Sequence, residues 1–175
     1  YGDWSSDVCS SDLSAMIHAG TSTIFAIGTP PSAATWKVAV DVPDVAVTHE
    51  RATINTSAGD ALLSRRYEIA LRDESLSVSA VTGKCFVANG RVLGHILDPR
   101  TGEPASNAVL SAVVLPSATE TDALSTALLV LGPEGIKSIS ALRPGMRLFV
   151  VGQNKDGSRL VSGCGIELSA PSNVS

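Results

Sequence analysis

From residue 15 onward the chain alternates short apolar runs with Gly, Pro, Asn and Asp punctuation. Ala15-Met16-Ile17-His18-Ala19 reads as a short buried strand broken by Gly20, and residues 21–27 as a second strand ending at Gly28. Residues 29–32 form a turn. Residues 36–42 alternate apolar and polar positions, the pattern of a half-buried strand. Residues 45–60 show no period and read as a loop or insertion. Residues 67–71 and 75–81 are strands, and residues 85–87 and 91–93 flank Asn89-Gly90, a hairpin signal because both residues tolerate positive φ. Residues 109–115 are a strongly apolar strand.

The 3.6-residue period appears over residues 120–131, with Ala123, Leu124, Ala127, Leu128 and Leu131 available to face a core. Thr119 or Thr121 can cap this helix, Asp122 falls in its first turn, and Gly132-Pro133 stops it. A second helix is expected from Pro133 to Leu142. Residues 146–152 and 159–168 are strands joined by Asn154-Lys155-Asp156-Gly157. Many short strands and two adjacent helices predict an α+β domain, an antiparallel sheet core with helices packed on it.

Composition narrows the picture in a few places. Hydrophobic residues make up 44% and aromatics only 4%, so a packed core must be aliphatic. The net charge of −4 and the absence of a Lys/Arg run argue against nucleic acid as a partner. A phosphate-bearing ligand needs a metal or backbone donors instead. Cys9, Cys85 and Cys164 contain no Cys-x-x-Cys pair, so a zinc site is not expected. The apolar runs fall far short of a membrane span. Residues 1–13 repeat Ser-Ser-Asp without periodicity and resemble translated sequencing-adapter sequence. They are set aside as a non-native segment, leaving 14–175 as the domain.

Two places can carry chemistry. Asp122 and Thr126 are four apart, so on a helix they share a face and offer two hard oxygen ligands of the kind magnesium favours. The plainer alternative is capping and surface chemistry. His95 closes a strand ahead of the turn-prone Asp98-Pro99-Arg100-Thr101-Gly102. A histidine can take a proton from a hydroxyl nucleophile near neutral pH. Asp98 or Arg100 can orient it or contact phosphate; the alternative is a turn in which Asp98 makes a local hydrogen bond. His18 is expected in the core, and His49 in the irregular loop.

The run Gly94-His95-Ile96-Leu97-Asp98-Pro99-Arg100-Thr101-Gly102-Glu103-Pro104 resembles the His-Ile-x-Asp-Pro-Arg-Thr-Gly-x-Pro signature of the ApbE family, the FAD:protein FMN transferases. Asp122-Ala123-Leu124-Ser125-Thr126-Ala127 resembles that family's Asp-Ala-x-x-Thr-Ala helix. Ala19-Gly20, Pro30-Pro31 and Trp36-Lys37-Val38 resemble its Asn-x-Gly-Gly strand and the segment after it. The resemblance covers about residues 15–168. It implies the C-terminal half of a T-fold-like domain, with Asp122 and Thr126 as magnesium ligands. His95 and Ile96 would lie against FAD, and His95 would be the catalytic base. The implied reaction moves FMN from FAD to a threonine of an acceptor flavoprotein, such as a redox-pump subunit, and releases AMP. Alternatives are a non-catalytic flavin- or protein-binding module, or an FAD pyrophosphatase. The family suggests a bacterial periplasmic or inner-membrane-anchored setting through an N-terminal anchor, or the cytoplasm.

Departures limit the likeness. Thr21 and Ser22 replace the family's second glycine and acidic residue, His18 stands where Asn is common, and the loop at 45–66 is longer. The family's glycine-rich flavin-binding helix from its N-terminal half has no counterpart here, so the chain is expected to be a C-terminal portion with little activity alone.

Overall fold

The computed structural model describes residues 13–20, 22–42, 45–48, 51–54, 66–82, 85–88, 91–153 and 158–167. Its centre is a six-stranded antiparallel sheet built from β1 (Ala15–Ala19), β2 (Thr23–Ile27), β7 (Glu74–Ala80), β10 (Ala108–Leu115), β11 (Arg147–Gln153) and β12 (Arg159–Cys164), in the order β1-β2-β7-β10-β11-β12. Three two-stranded ladders accompany it. They are β3 (Trp36–Asp41) with β6 (Arg66–Leu71), β4 (Val45–Thr48) with β5 (Arg51–Ile54), and β8 (Cys85–Ala88) with β9 (Arg91–Gly94). The helices are α1 (Ala118–Leu131) and α2 (Ile136–Ser140), linked by a 3-10 turn at Pro133–Gly135.

Alternation along the central strands makes two cores, one on each face of the sheet. Leu110, Ala112 and Val114 of β10, with Phe149 and Val151 of β11, face a core closed by Val38 and Val40 of β3 and Ile69 and Leu71 of β6. Tyr67 meets Phe149 edge to face there, with centroids 5.8 Å apart. The intervening residues Val113, Leu115, Leu148 and Val150 face the other way, against Leu128, Leu129 and Ile139 of the helices. Strand β10 is therefore buried along its whole length, which is why its sequence is apolar but for Ser111.

Helix α1 begins earlier than the sequence suggests. Ser117, rather than Thr119 or Thr121, is the cap, and its hydroxyl accepts from Glu120 N–H at 3.3 Å. The acidic residue of the first turn is Glu120, paired with Arg143, and Asp122 sits one turn further in. The helix stops at Gly132, whose φ of 70° is a left-handed conformation suited to glycine. A Cβ there would lie 2.8 Å from Asn107 Cβ, and Asn107 Nδ2 donates to Val130 O at 2.7 Å. The expected second helix is shorter: the 3-10 turn opens it at Pro133, and it ends at Ser140.

Three other expectations change. Residues 45–48 and 51–54 pair as the antiparallel strands β4 and β5, not a loop. The rest of that stretch, His49 included, lies outside the described residues, as do Asn89-Gly90 and residues 154–157. His18 is exposed on edge strand β1, where its Nδ1 lies 2.9 Å from Gly20 O, so it is not a core residue. Strand β1 is exposed at four of its five positions because it has a neighbour on one side only.

Candidate functional site

Helix α1 lies across β2, β7 and β10, and what it presents to them is polar at its N-terminal end. Thr121 and Ser125 are fully buried, Leu124 and Ala127 only half-buried, and Ala123 exposed. The apolar face expected from residue 123 onward starts in earnest at Leu128 and Leu129. Opposite stand Ser75, Ser77 and Ser79. Their period of two puts them on one side of β7, while Leu76 points into the other core.

The hydroxyls pair across this interface. Ser77 Oγ is 2.9 Å from both Thr23 Oγ1 and Thr121 Oγ1. Ser79 Oγ is 2.9 Å from Ser125 Oγ and 3.1 Å from Thr126 Oγ1. Ser111 on β10 donates to Ser125 O at 2.6 Å. Ser75 Oγ, equally buried, has no partner among the described residues. Of these hydroxyls the sequence points only to Thr126, as a metal ligand, and to Thr121, as a cap. The signal that would have found the others is Ser-x-Ser-x-Ser on a strand together with Thr121 and Ser125 one helical turn apart.

At the edge of this network stand Asp122 and Thr126, successive turns of one face as their spacing predicts. Asp122 is exposed, and its Oδ1 accepts a long 3.4 Å contact from Thr23 Oγ1. Thr126 is half-buried; its hydroxyl donates back to Asp122 O at 3.2 Å. With that proton turned inward, an oxygen lone pair remains for an outside ligand. Among the described residues no three His, Cys, Asp or Glu side chains converge, so a cation at this place meets one carboxylate and one hydroxyl. Such a set of hard oxygens fits magnesium, which keeps waters or substrate phosphates for its remaining positions. It does not fit zinc, which takes nitrogen and sulfur ligands in closed sites.

The second motif folds into a closed turn after β9. Asp98 N–H donates to Glu103 O at 2.8 Å, Gly102 N–H to Asp98 O at 2.8 Å, and Ala105 N–H to Ile96 O at 2.9 Å. Gly102 takes a φ of 73°. The Asp98 carboxylate, only 7% exposed, accepts from Arg100 N–H (2.9 Å), Nε (2.9 Å) and Nη2 (2.6 Å). The guanidinium first, and then the Arg100 amide, hold its pKa down to about 2. Asp98 and Arg100 are thus committed to each other as the brace of the turn, the alternative in which Asp98 bonds locally. His95 is exposed at the head of this turn, and Ile96 packs against the core that also receives Leu124 and Ala127 of α1. The turn and the Asp122–Thr126 face are therefore anchored to one core.

Comparison with known proteins places these features in context. The ApbE family matches residues 11–150. The chain is 32% identical over 89 residues to the FAD:protein FMN transferase of Escherichia coli (strain K12), covering 50% of this chain and 25% of that protein. It is 41% identical over 86 residues to the protein of the same name from Treponema pallidum (strain Nichols), covering 47% and 23%. Among solved structures, the apo flavinyl transferase ApbE of Pseudomonas stutzeri superposes with a TM-score of 0.54 at 27% identity, over 82% of this chain and 39% of that one. An ApbE protein from Thermotoga maritima gives 0.60 at 24% identity, over 85% and 42%, a likeness of fold. The chain thus spans a quarter to two fifths of these relatives' length. With the match running across four fifths of its residues, the chain belongs to the ApbE family.

Proposed function

We propose that this chain supplies the metal-holding face and the histidine turn of a longer FAD:protein FMN transferase, as its C-terminal portion. The observation that carries the proposal is the Asp122–Thr126 pair, one turn apart, with the Thr126 proton drawn inward to Asp122 O. It lies within the stretch matched to a family whose relatives bear that name. Asp122 and Thr126 would hold Mg2+, whose charge would offset that of the FAD pyrophosphate. His95, exposed beside the Ile96 anchor, would accept the proton of an acceptor threonine hydroxyl. As that oxygen bonds to the FMN-side phosphorus, the bond from phosphorus to the bridging oxygen breaks and AMP leaves with that oxygen. Ile96 would give the flavin an apolar contact, and the Asp98–Arg100 brace keeps the turn closed beneath it. The partners are then FAD and an acceptor flavoprotein.

The test is direct. The chain, and a longer protein containing it, are incubated with FAD, Mg2+ and a threonine-bearing acceptor peptide. A gain of one FMN mass on the peptide with release of AMP is expected for the longer protein, and its loss with Asp122→Ala. Release of FMN and AMP without peptide labelling would indicate a pyrophosphatase, and FAD binding with neither product a binding module. Transfer unaffected by Asp122→Ala sinks the assignment.

A further inference from the structure

The hydroxyl network does more than glue a helix to a sheet. Four oxygens close a ring: Asp122 O, Ser125 Oγ, Ser79 Oγ and Thr126 Oγ1, separated in turn by 3.0, 2.9, 3.1 and 3.2 Å. Only the three hydroxyls bring hydrogens, so one side of the ring always lacks one. All four arrangements that fill three of the sides send the Thr126 proton inward, three of them to Asp122 O and one to Ser79 Oγ. Each leaves a lone pair of Thr126 facing out.

A helical threonine on its own does not guarantee this. Its χ1 divides between two rotamers of similar energy, and turning from one to the other carries the hydroxyl to a different position around the Cα–Cβ bond. Ser79 approaches from the sheet and offers a partner to only one of them. Thr126 is half-buried beside it, and Ser79 is held in turn by Ser125.

We propose that Ser79 of β7 is a positioning residue that fixes the Thr126 rotamer and so presents its oxygen as a ligand beside Asp122. The proposal rests on the metal-holding reading of that pair. Ser79 itself touches neither metal nor substrate; it acts through Thr126. A neutral hydrogen bond of ordinary net strength biases a two-rotamer equilibrium several-fold, up to about tenfold.

The test reads the rotamer first and the metal second. Three-bond NMR couplings from the backbone nitrogen and carbonyl carbon to Thr126 Cγ2 report χ1 directly. The present chain should show one rotamer, Ser79→Ala and the β-branched Ser79→Val averaged values, and Ser79→Thr a return to one. Titration with Mn2+ as the probe should give an affinity about twofold weaker in Ser79→Ala and Ser79→Val, as the competent rotamer falls from about nine tenths to about half, restored in Ser79→Thr. Couplings that stay unaveraged in both Ser79→Ala and Ser79→Val overturn the proposal. If instead Asp122→Ala and Thr126→Val leave Mn2+ binding unchanged, the metal reading fails, while the couplings still decide the role of Ser79.

Discussion

Ser75 and Ser77 are two residues apart on one strand, face the same helix and are both fully buried, yet truncating them should have opposite effects. Ser77 Oγ has two hydroxyl partners at 2.9 Å, Thr23 and Thr121. At about 1 kcal/mol for each neutral hydrogen bond, Ser77→Ala should cost about 2 kcal/mol. Thr121 limits the loss because it keeps its bond to Ala118 O. Ser75 Oγ has no partner among the described residues, so the folded state carries an uncompensated desolvation cost there. Protein mutational data put that cost at roughly 1–3 kcal/mol. Ser75→Ala should therefore stabilise, by about 1 kcal/mol once the small void is counted. For a domain of this size 1 kcal/mol moves Tm by about 2–4 °C, so the two variants should part by about 6–12 °C. Thermal melts by circular dichroism, with urea titrations as a second route, measure the difference. Equal losses in both variants would refute the assignment of these hydroxyls as one partnered and one orphaned.

Leu128→Ala should cost about 2–5 kcal/mol in urea unfolding, because its side chain is fully buried between α1 and the sheet. Gly132→Ala should destabilise by more than about 1 kcal/mol in the same assay, since the φ of 70° and the 2.8 Å approach of Asn107 Cβ leave no relaxed place for a methyl group. Asp98 has its folded pKa lowered to about 2 from the ordinary 3.8, so its pairing with Arg100 stabilises the fold above about pH 4 and is lost as pH falls through about 2. Asp98→Asn should consequently lower Tm at pH 7 and converge on the unsubstituted chain as pH falls below about 2, and a carboxyl titration followed by NMR should place the Asp98 midpoint near the lower value.

Most of the strands were legible because each has a period of two or a continuous apolar run bounded by turn residues. Strands β10 and β11 are the clearest cases, since burial on both faces leaves Ser111 as the one polar position of β10 and confines those of β11 to its ends. The pairing of β4 with β5 was not legible: each is only four residues long, and Val45-Ala46-Val47-Thr48 and Arg51-Ala52-Thr53-Ile54 are too short to set a period apart from the irregular text around them. At the site, Asp122, Thr126, His95 and Ile96 were visible as motif members, and the spacing of the first two placed them on one face. The start of α1 was misjudged because Thr119 and Thr121 have the same capping chemistry as Ser117, and only backbone geometry separates the three. The hydroxyl interface escaped notice for a related reason. Serine and threonine read as surface or turn residues, and a polar seam under a helix becomes recognisable only once β2, β7 and α1 are brought together.

The Asp122–Thr126 face can be tested as a metal site without any turnover. Paramagnetic Mn2+ added to the isotopically labelled chain should broaden resonances within the turn of residues 122–126 and at Thr23 and Ser79, which contact it. Glu120, already paired with Arg143, should be affected less. Asp122→Ala should abolish the pattern and Mg2+ should compete it away. Broadening centred on another carboxylate, or unchanged by Asp122→Ala, would contradict the assignment of this helix face as the place where the metal is held.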